Sequence, residues 1–106
     1  MKNEYGVDLD RNGYAPSLFP WKHGECLICG RYDRPLQRHE VFHGPCRETS
    51  KRFGCWVYIC DYCHMRIHGA DARNEKTLKR IMQKKAMEHY GWTTEQFREV
   101  FGKDYR

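Results

Sequence analysis

Six cysteines and six histidines carry most of the chemistry in this 106-residue chain, and four of the cysteines come as two matched pairs. Cys26-Leu27-Ile28-Cys29-Gly30 and Cys60-Asp61-Tyr62-Cys63 stand thirty residues apart. A Cys-x-x-Cys turn aims two thiolates at one point. Two such turns complete the tetrahedral all-cysteine shell that structural zinc prefers, with no position left open for chemistry. Binding energies of such sites run to roughly 10 kcal/mol or more, comparable with the whole stability of a small domain. Zinc on Cys26, Cys29, Cys60 and Cys63 is therefore the expected staple of the fold. Cys46 and Cys55 fall outside both turns and read as ordinary small thiols.

The histidines suggest a second centre. His64 and His68 are four apart, so on a helix both imidazoles leave one face about a turn apart, in reach of one ion. His64 follows Cys63 directly, so the zinc would fix the start of the helix that presents the pair. Earlier in the chain lies Arg38-His39-Glu40-Val41-Phe42-His43-Gly44, where an imidazole and a carboxylate are adjacent ahead of a glycine.

The elements that must position these groups are legible in outline. Residues 1–25 hold Gly6, Gly13, Pro16, Pro20 and Gly24, too closely spaced for a long helix or regular strand, and read as an irregular arm. Within it Asp8, Asp10, Asn12 and Gly13 imitate the start of a calcium loop, but its twelfth position, where a bidentate Glu belongs, is Phe19. A turn held by Asp and Asn side chains is the better account. Tyr14, Leu18, Phe19 and Trp21 would pack the arm onto the body. Residues 26–72 form the centre: the first knuckle, a short segment through Leu36 to Phe42, a polar connection, a strand over Trp56 to Cys60 and a helix near Cys63 to His68, stopped by Gly69. From Asn74, which reads as a cap, Leu78, Ile81, Met82, Ala86 and Tyr90 share a helical face up to Gly91. A last helix begins with a Thr93/Gln96 capping box and a Trp92/Phe97 staple, buries Phe97, Val100 and Phe101, and closes at Gly102. These two helices read as packing elements. The whole is one α+β domain, residues 1–106: arm 1–25, zinc-stapled core 26–72, C-terminal helices 73–106.

Nineteen Lys and Arg against fourteen Asp and Glu give a net charge of +5, which favours polyanionic partners such as nucleic acid. Arg31, Arg34, Arg38, Arg47, Lys51 and Arg52 concentrate in the centre, as a nucleic-acid face or a solvated basic one. No secretion signal or membrane-length apolar run is visible, so a cytoplasmic protein without membrane contact is expected. In such a reducing compartment paired cysteines bind metal more often than they form disulfides.

Cys-x-x-Cys, then His-Glu in a short hairpin, then Cys-x-x-Cys-His-x-x-x-His resembles the HNH, or ββα-metal, endonuclease family over roughly residues 26–69. The segments LDRNGYAPS, RHEVFHGPCRETSKRFG and FREVFGKDY are also similar to small phage and prophage HNH-like proteins. The resemblance implies a treble-clef-like ββα-metal core and a DNA endonuclease. His39, His64 and His68 would hold a catalytic Mg2+, Mn2+, Ni2+ or Zn2+, with Glu40 as general base; an alternative register makes His39 the base and puts Arg38 in the ligand position. His43 would either extend the ligand set or stand as a loop histidine. Arg47 would steady the phosphate. Two departures stand out: Glu40 occupies a base position that is normally His, and Cys55 stands where the family has Asn, whose bracing role would pass to Arg47, Ser50 or Arg52. Zinc-bearing members such as the phage Holliday-junction resolvases carry two Cys-x-x-Cys pairs at much this separation and pair to cut both strands, so the resemblance also allows a homodimer through the C-terminal helices. The rival expectation is a zinc-stapled DNA-binding or adaptor module without hydrolysis, its partner meeting an exposed side of Phe97, Val100 and Phe101.

Overall fold

A computed structural model describes residues 1–19 and 24–106, so the expected packing of Trp21 lies outside the described residues. Two strands and four helices follow one another: β1 (Leu36–Glu40), a 3-10 turn (Gly44–Cys46), α1 (Arg47–Arg52), β2 (Trp56–Cys60), α2 (Asp61–Ile67), α3 (Ala72–Tyr90) and α4 (Thr94–Phe101). The strands pair antiparallel, with Arg38 opposite Tyr58 and His39 opposite Val57. Phe42, just past β1, is fully buried and packs its ring 5.5 Å from Phe97 and 4.6 Å from Phe101, tying the hairpin to α4. Met82 and Ala86 of α3 and Ile59 and Ile67 of the centre complete this core.

The arm is held as its side chains suggest. One Asp10 carboxylate oxygen accepts from the backbone N–H groups of Asn12 and Tyr14 at 2.9 and 3.0 Å, so the acidic stretch is a turn and not a cation loop. Tyr14 then stacks edge-on against Trp56, 5.4 Å between centroids. Gly54, at φ 76°, lies under the arm; a Cβ there would meet the Pro16 carbonyl at 2.3 Å. A feature that residue types did not reveal is Asn3, whose buried amide oxygen accepts from Tyr5 and Val7 while its nitrogen donates to the Arg52 carbonyl at 3.0 Å.

Several boundaries differ from expectation, each for a local reason. The polar connection contains a helix, α1, which has no apolar stripe and one buried residue, Ser50. Ser50 Oγ donates to the Phe42 carbonyl at 2.6 Å and accepts from the Phe42 N–H at 3.1 Å. A tertiary hydrogen-bond pair, not hydrophobic periodicity, thus holds α1 across the hairpin. Helix α2 starts earlier, because the Cys60 thiol caps it by accepting from the Cys63 N–H at 3.4 Å. It ends on His68 before Gly69 is reached, and the Gly69 and Asp71 N–H groups both turn back to the Arg66 carbonyl. The cap of α3 is Asp71 rather than Asn74, whose own N–H and amide both donate to the Asp71 carboxylate. The Thr93/Gln96 capping box forms as expected.

On α3 Ile81 is exposed, and the buried Gln83 takes a core place instead. Phe97 and Phe101 are 0 % and 3 % exposed, so the expected partner-binding side of α4 is spent inside the core. Among the described residues no helix is long and apolar enough to cross a membrane.

Candidate metal centres

The first knuckle is a tight turn. The Gly30 N–H closes on the Cys26 carbonyl at 2.9 Å, with Gly30 at φ 76°, and Leu27 N–H donates to Tyr58 O at 3.1 Å, fastening the turn to β2. The second knuckle is the first turn of α2, whose N-terminal dipole favours thiolates. The four Sγ atoms of Cys26, Cys29, Cys60 and Cys63 lie within 4.8 Å of one another. The Cys29 and Cys60 sulfurs stand 3.9 Å apart, far beyond a disulfide bond, and all six cysteines are free thiols. Burial raises the Cys26 thiol, but backbone N–H groups of Cys29, Cys60 and Ile28 outweigh it and bring it down to about 7. Cys63 is pushed the other way by burial and by its neighbouring thiols. Four thiols this close cannot all ionise unless a cation shares their charge, and a closed set of four sulfurs suits a structural ion such as zinc.

Fewer than two turns further along the same chain segment, His64 and His68 face His39 of β1. The ring centroid of His39 is 5.3 Å from each, and theirs are 5.1 Å apart. One ligand atom from each of the three can be chosen within 4.8 Å of the other two. His39 is 2 % exposed, and its Nε2 is the one buried side-chain polar atom among the described residues with no hydrogen-bond partner. Leaving such a group unsatisfied costs about 1–3 kcal/mol, which a cation would relieve. His64 Nδ1 lies 2.6 Å from the Gln37 amide oxygen, so Nδ1 is the protonated nitrogen and Nε2 keeps its lone pair. Burial first, then His64, His68 and His43, hold the His39 imidazole down to about 3, and burial with His68 lowers His64. Both rings are therefore neutral near pH 7, the state in which imidazole binds metal.

The remaining expected residues surround this cluster. Tyr14, Arg38, Glu40, His43 and Arg47 line the same open cleft as the three imidazoles. One Glu40 oxygen accepts from Arg47 Nε at 2.6 Å and the other from the Tyr14 hydroxyl at 3.1 Å. Arg47 keeps 60 % of its side chain exposed at the cleft mouth. His43, 5.3 Å from His68 between ring centroids, is tied through Nε2 to Glu75 of α3 at 2.8 Å and is not one of the three converging residues. Arg38 lies on the Tyr14 and Trp56 rings, 4.2 and 4.8 Å from their centroids, and pairs with Asp10. Of the three candidates to brace the hairpin loop, Ser50 does so through Phe42, whereas Arg47 goes to Glu40 and Arg52 to Glu4.

Sequence reasoning missed Tyr14, Gln37 and Glu75 as neighbours of the site. Gln37 sits two residues before His39, on the same face of a strand, and that alternation was the one available signal. No protein-family model, no curated protein and no solved structure matches this chain.

Proposed function

We propose that the chain is a metal-dependent DNA endonuclease of the HNH, or ββα-metal, type, akin to phage and prophage proteins. A structural zinc sits on Cys26, Cys29, Cys60 and Cys63, and a working divalent cation on His39, His64 and His68. The observation that carries the reading is the buried, unpartnered Nε2 of His39, set beside two more imidazoles in an open cleft. The order of parts supports it as well: strand, connection, strand and helix, with one ligand from the first strand and two from the helix.

When bound, the cation supplies Lewis-acid stabilisation of the charge that builds on the phosphate. The chain's own residues do the rest. His39, His64 and His68 hold the ion, and Gln37 keeps the His64 lone pair available. Arg47 offers its remaining N–H groups to non-bridging phosphate oxygens. Glu40 accepts the proton of an in-line water as the new P–O bond forms and the bond to the 3′ oxygen breaks, the leaving oxygen taking its proton from solvent. Because Arg47 meets Glu40 through Nε alone, at 2.6 Å, the same guanidinium aims the base while its other N–H groups meet the phosphate.

A second reading, an inert zinc-stapled DNA-binding or adaptor module, is favoured by one observation: both Glu40 oxygens are engaged, by Arg47 and Tyr14. Supercoiled plasmid separates the two. The nuclease nicks it in magnesium, manganese or nickel, stops with chelator, and loses the activity on His68→Ala. Salt-sensitive retardation of the plasmid with no product in any of the three metals would leave the inert module.

A further inference from the structure

The basic residues that stand out in the sequence are each paired with a carboxylate of the same chain. Arg31 pairs with Asp33, Arg34 with Asp61, Arg38 with Asp10, Arg47 with Glu40, Lys51 with Glu48 and Arg52 with Glu4. The uncompensated charge lies elsewhere. Helix α3 carries six Lys and Arg against two Glu, a net +4 of the chain's +5.

Arg73, Lys76, Arg80 and Lys84 follow one another by three or four residues, the spacing that stacks side chains on one helical face. All four are exposed, and none has an ion-pair partner among the described residues. From Arg73 to Lys84 the helix rises about 16 Å, the length of about five phosphates along one strand of duplex. Glu75 points away from the stripe's axis, but Lys76 and Arg80 line one depression with it, and Glu75 holds His43, whose ring neighbours His68 in the histidine cleft. Lys76 and Arg80 also share a depression with Lys103 of the C-terminal segment. The buried Gln83 fixes that segment against α3, donating to Asp104 at 2.8 Å and accepting from the Tyr105 N–H at 2.7 Å.

We infer that the outer face of α3 is a phosphate-tracking surface for duplex DNA, holding the backbone that runs on from the strand bound at the histidine cleft. The inference rests on the nuclease reading for the identity of the polyanion. It assigns affinity to a helix that sequence patterning marks as a packing element, and takes it away from Arg31, Arg34, Arg38 and Arg52, whose charge is already matched, leaving Arg47 its place at the cleft. Contacts of this kind position the duplex without reading its bases.

The test is fluorescence anisotropy of a labelled DNA duplex on full-length protein in the His68→Ala background, with zinc retained and no other divalent ion, so that binding is read without cutting. Replacing Arg73, Lys76, Arg80 and Lys84 together by Gln, a good helix former, should weaken binding by roughly tenfold to a hundredfold and reduce the slope of log affinity against log salt by about three to four. Arg31→Gln with Arg34→Gln should change that slope by less than about one. An α3 variant that keeps the parental slope overturns the inference, as does an Arg31/Arg34 variant that loses as much, or tighter binding to the same duplex made of RNA. A plasmid assay without nicking, beside a slope that falls as stated, would defeat the nuclease reading and leave this surface standing.

Discussion

The cysteine cluster and the histidine cluster share one short helix, yet they are finished to different degrees. Cys60 and Cys63 occupy its first turn and meet Cys26 and Cys29 as a closed set of four sulfurs. His64 and His68 follow on its later face and meet one further imidazole, next to an open cleft lined by a carboxylate and two arginines. A complete donor shell gives stability and nothing else, whereas an incomplete one leaves a place where substrate can approach. The proximity matters too, since whatever ion sets the first turn of α2 also sets the direction of both imidazoles.

The largest effect expected from that contrast is on folding. Cys60→Ser, which removes a thiol of the proposed zinc set and the thiol cap of α2 together, should abolish the cooperative thermal transition, because roughly 10 kcal/mol or more of metal binding exceeds what a domain of this size holds in reserve. Protein with His64→Ala should melt as a folded, zinc-loaded chain. If both variants unfold, the division between structural and working centres is broken.

Activity reverses the order. His39→Ala, His64→Ala and His68→Ala should each lower plasmid nicking by roughly a thousandfold or more, given several kcal/mol of metal assistance at about 1.4 kcal/mol per tenfold. Zinc content by mass spectrometry should stay at one ion per chain in all three. Gln37→Leu should act more gently, lowering affinity for the working ion by roughly tenfold to a hundredfold, read by the metal concentration needed for half-maximal nicking. Ser50→Ala tests the brace between the two strands: with both Phe42 backbone groups left buried and unpaired, stability should drop by about 1–3 kcal/mol.

The smallest effect is one of pH. His39 titrates at the ordinary 6.5 when unfolded and at about 3 in the fold, held down first by burial and then by its imidazole neighbours. The unfolded chain therefore takes up the proton first, and this share of stability, full above 6.5, drains as the pH falls from there toward about 3. Between pH 7.5 and 5.5, with zinc retained and no second ion added, His39→Gln should lose less melting temperature than the parent. Equal losses would mean that the ring is not desolvated.

The pattern of what the sequence made legible follows from range. Cys-x-x-Cys turns, the four-residue step from His64 to His68, the strand at Trp56–Cys60 and the Thr93/Gln96 box are local geometries, and the structure has them. Helix α1 was not legible, because RETSKR has no apolar period and is pinned by Ser50 to a residue eight positions back. The state of the hairpin arginines was hidden for the same reason: Arg38 finds Asp10 and Arg34 finds Asp61, each more than twenty residues away. Gln83, polar amid an apolar face, gave no hint that it docks the chain end.

Crystals grown with zinc and then soaked in manganese would test the account most directly through their anomalous difference map. The expected result is a peak bounded by the imidazoles of His39, His64 and His68, distinct from the one at the four cysteines. A map with its only peak at the cysteines, or with the rings of His64 and His68 turned away from His39, would contradict it.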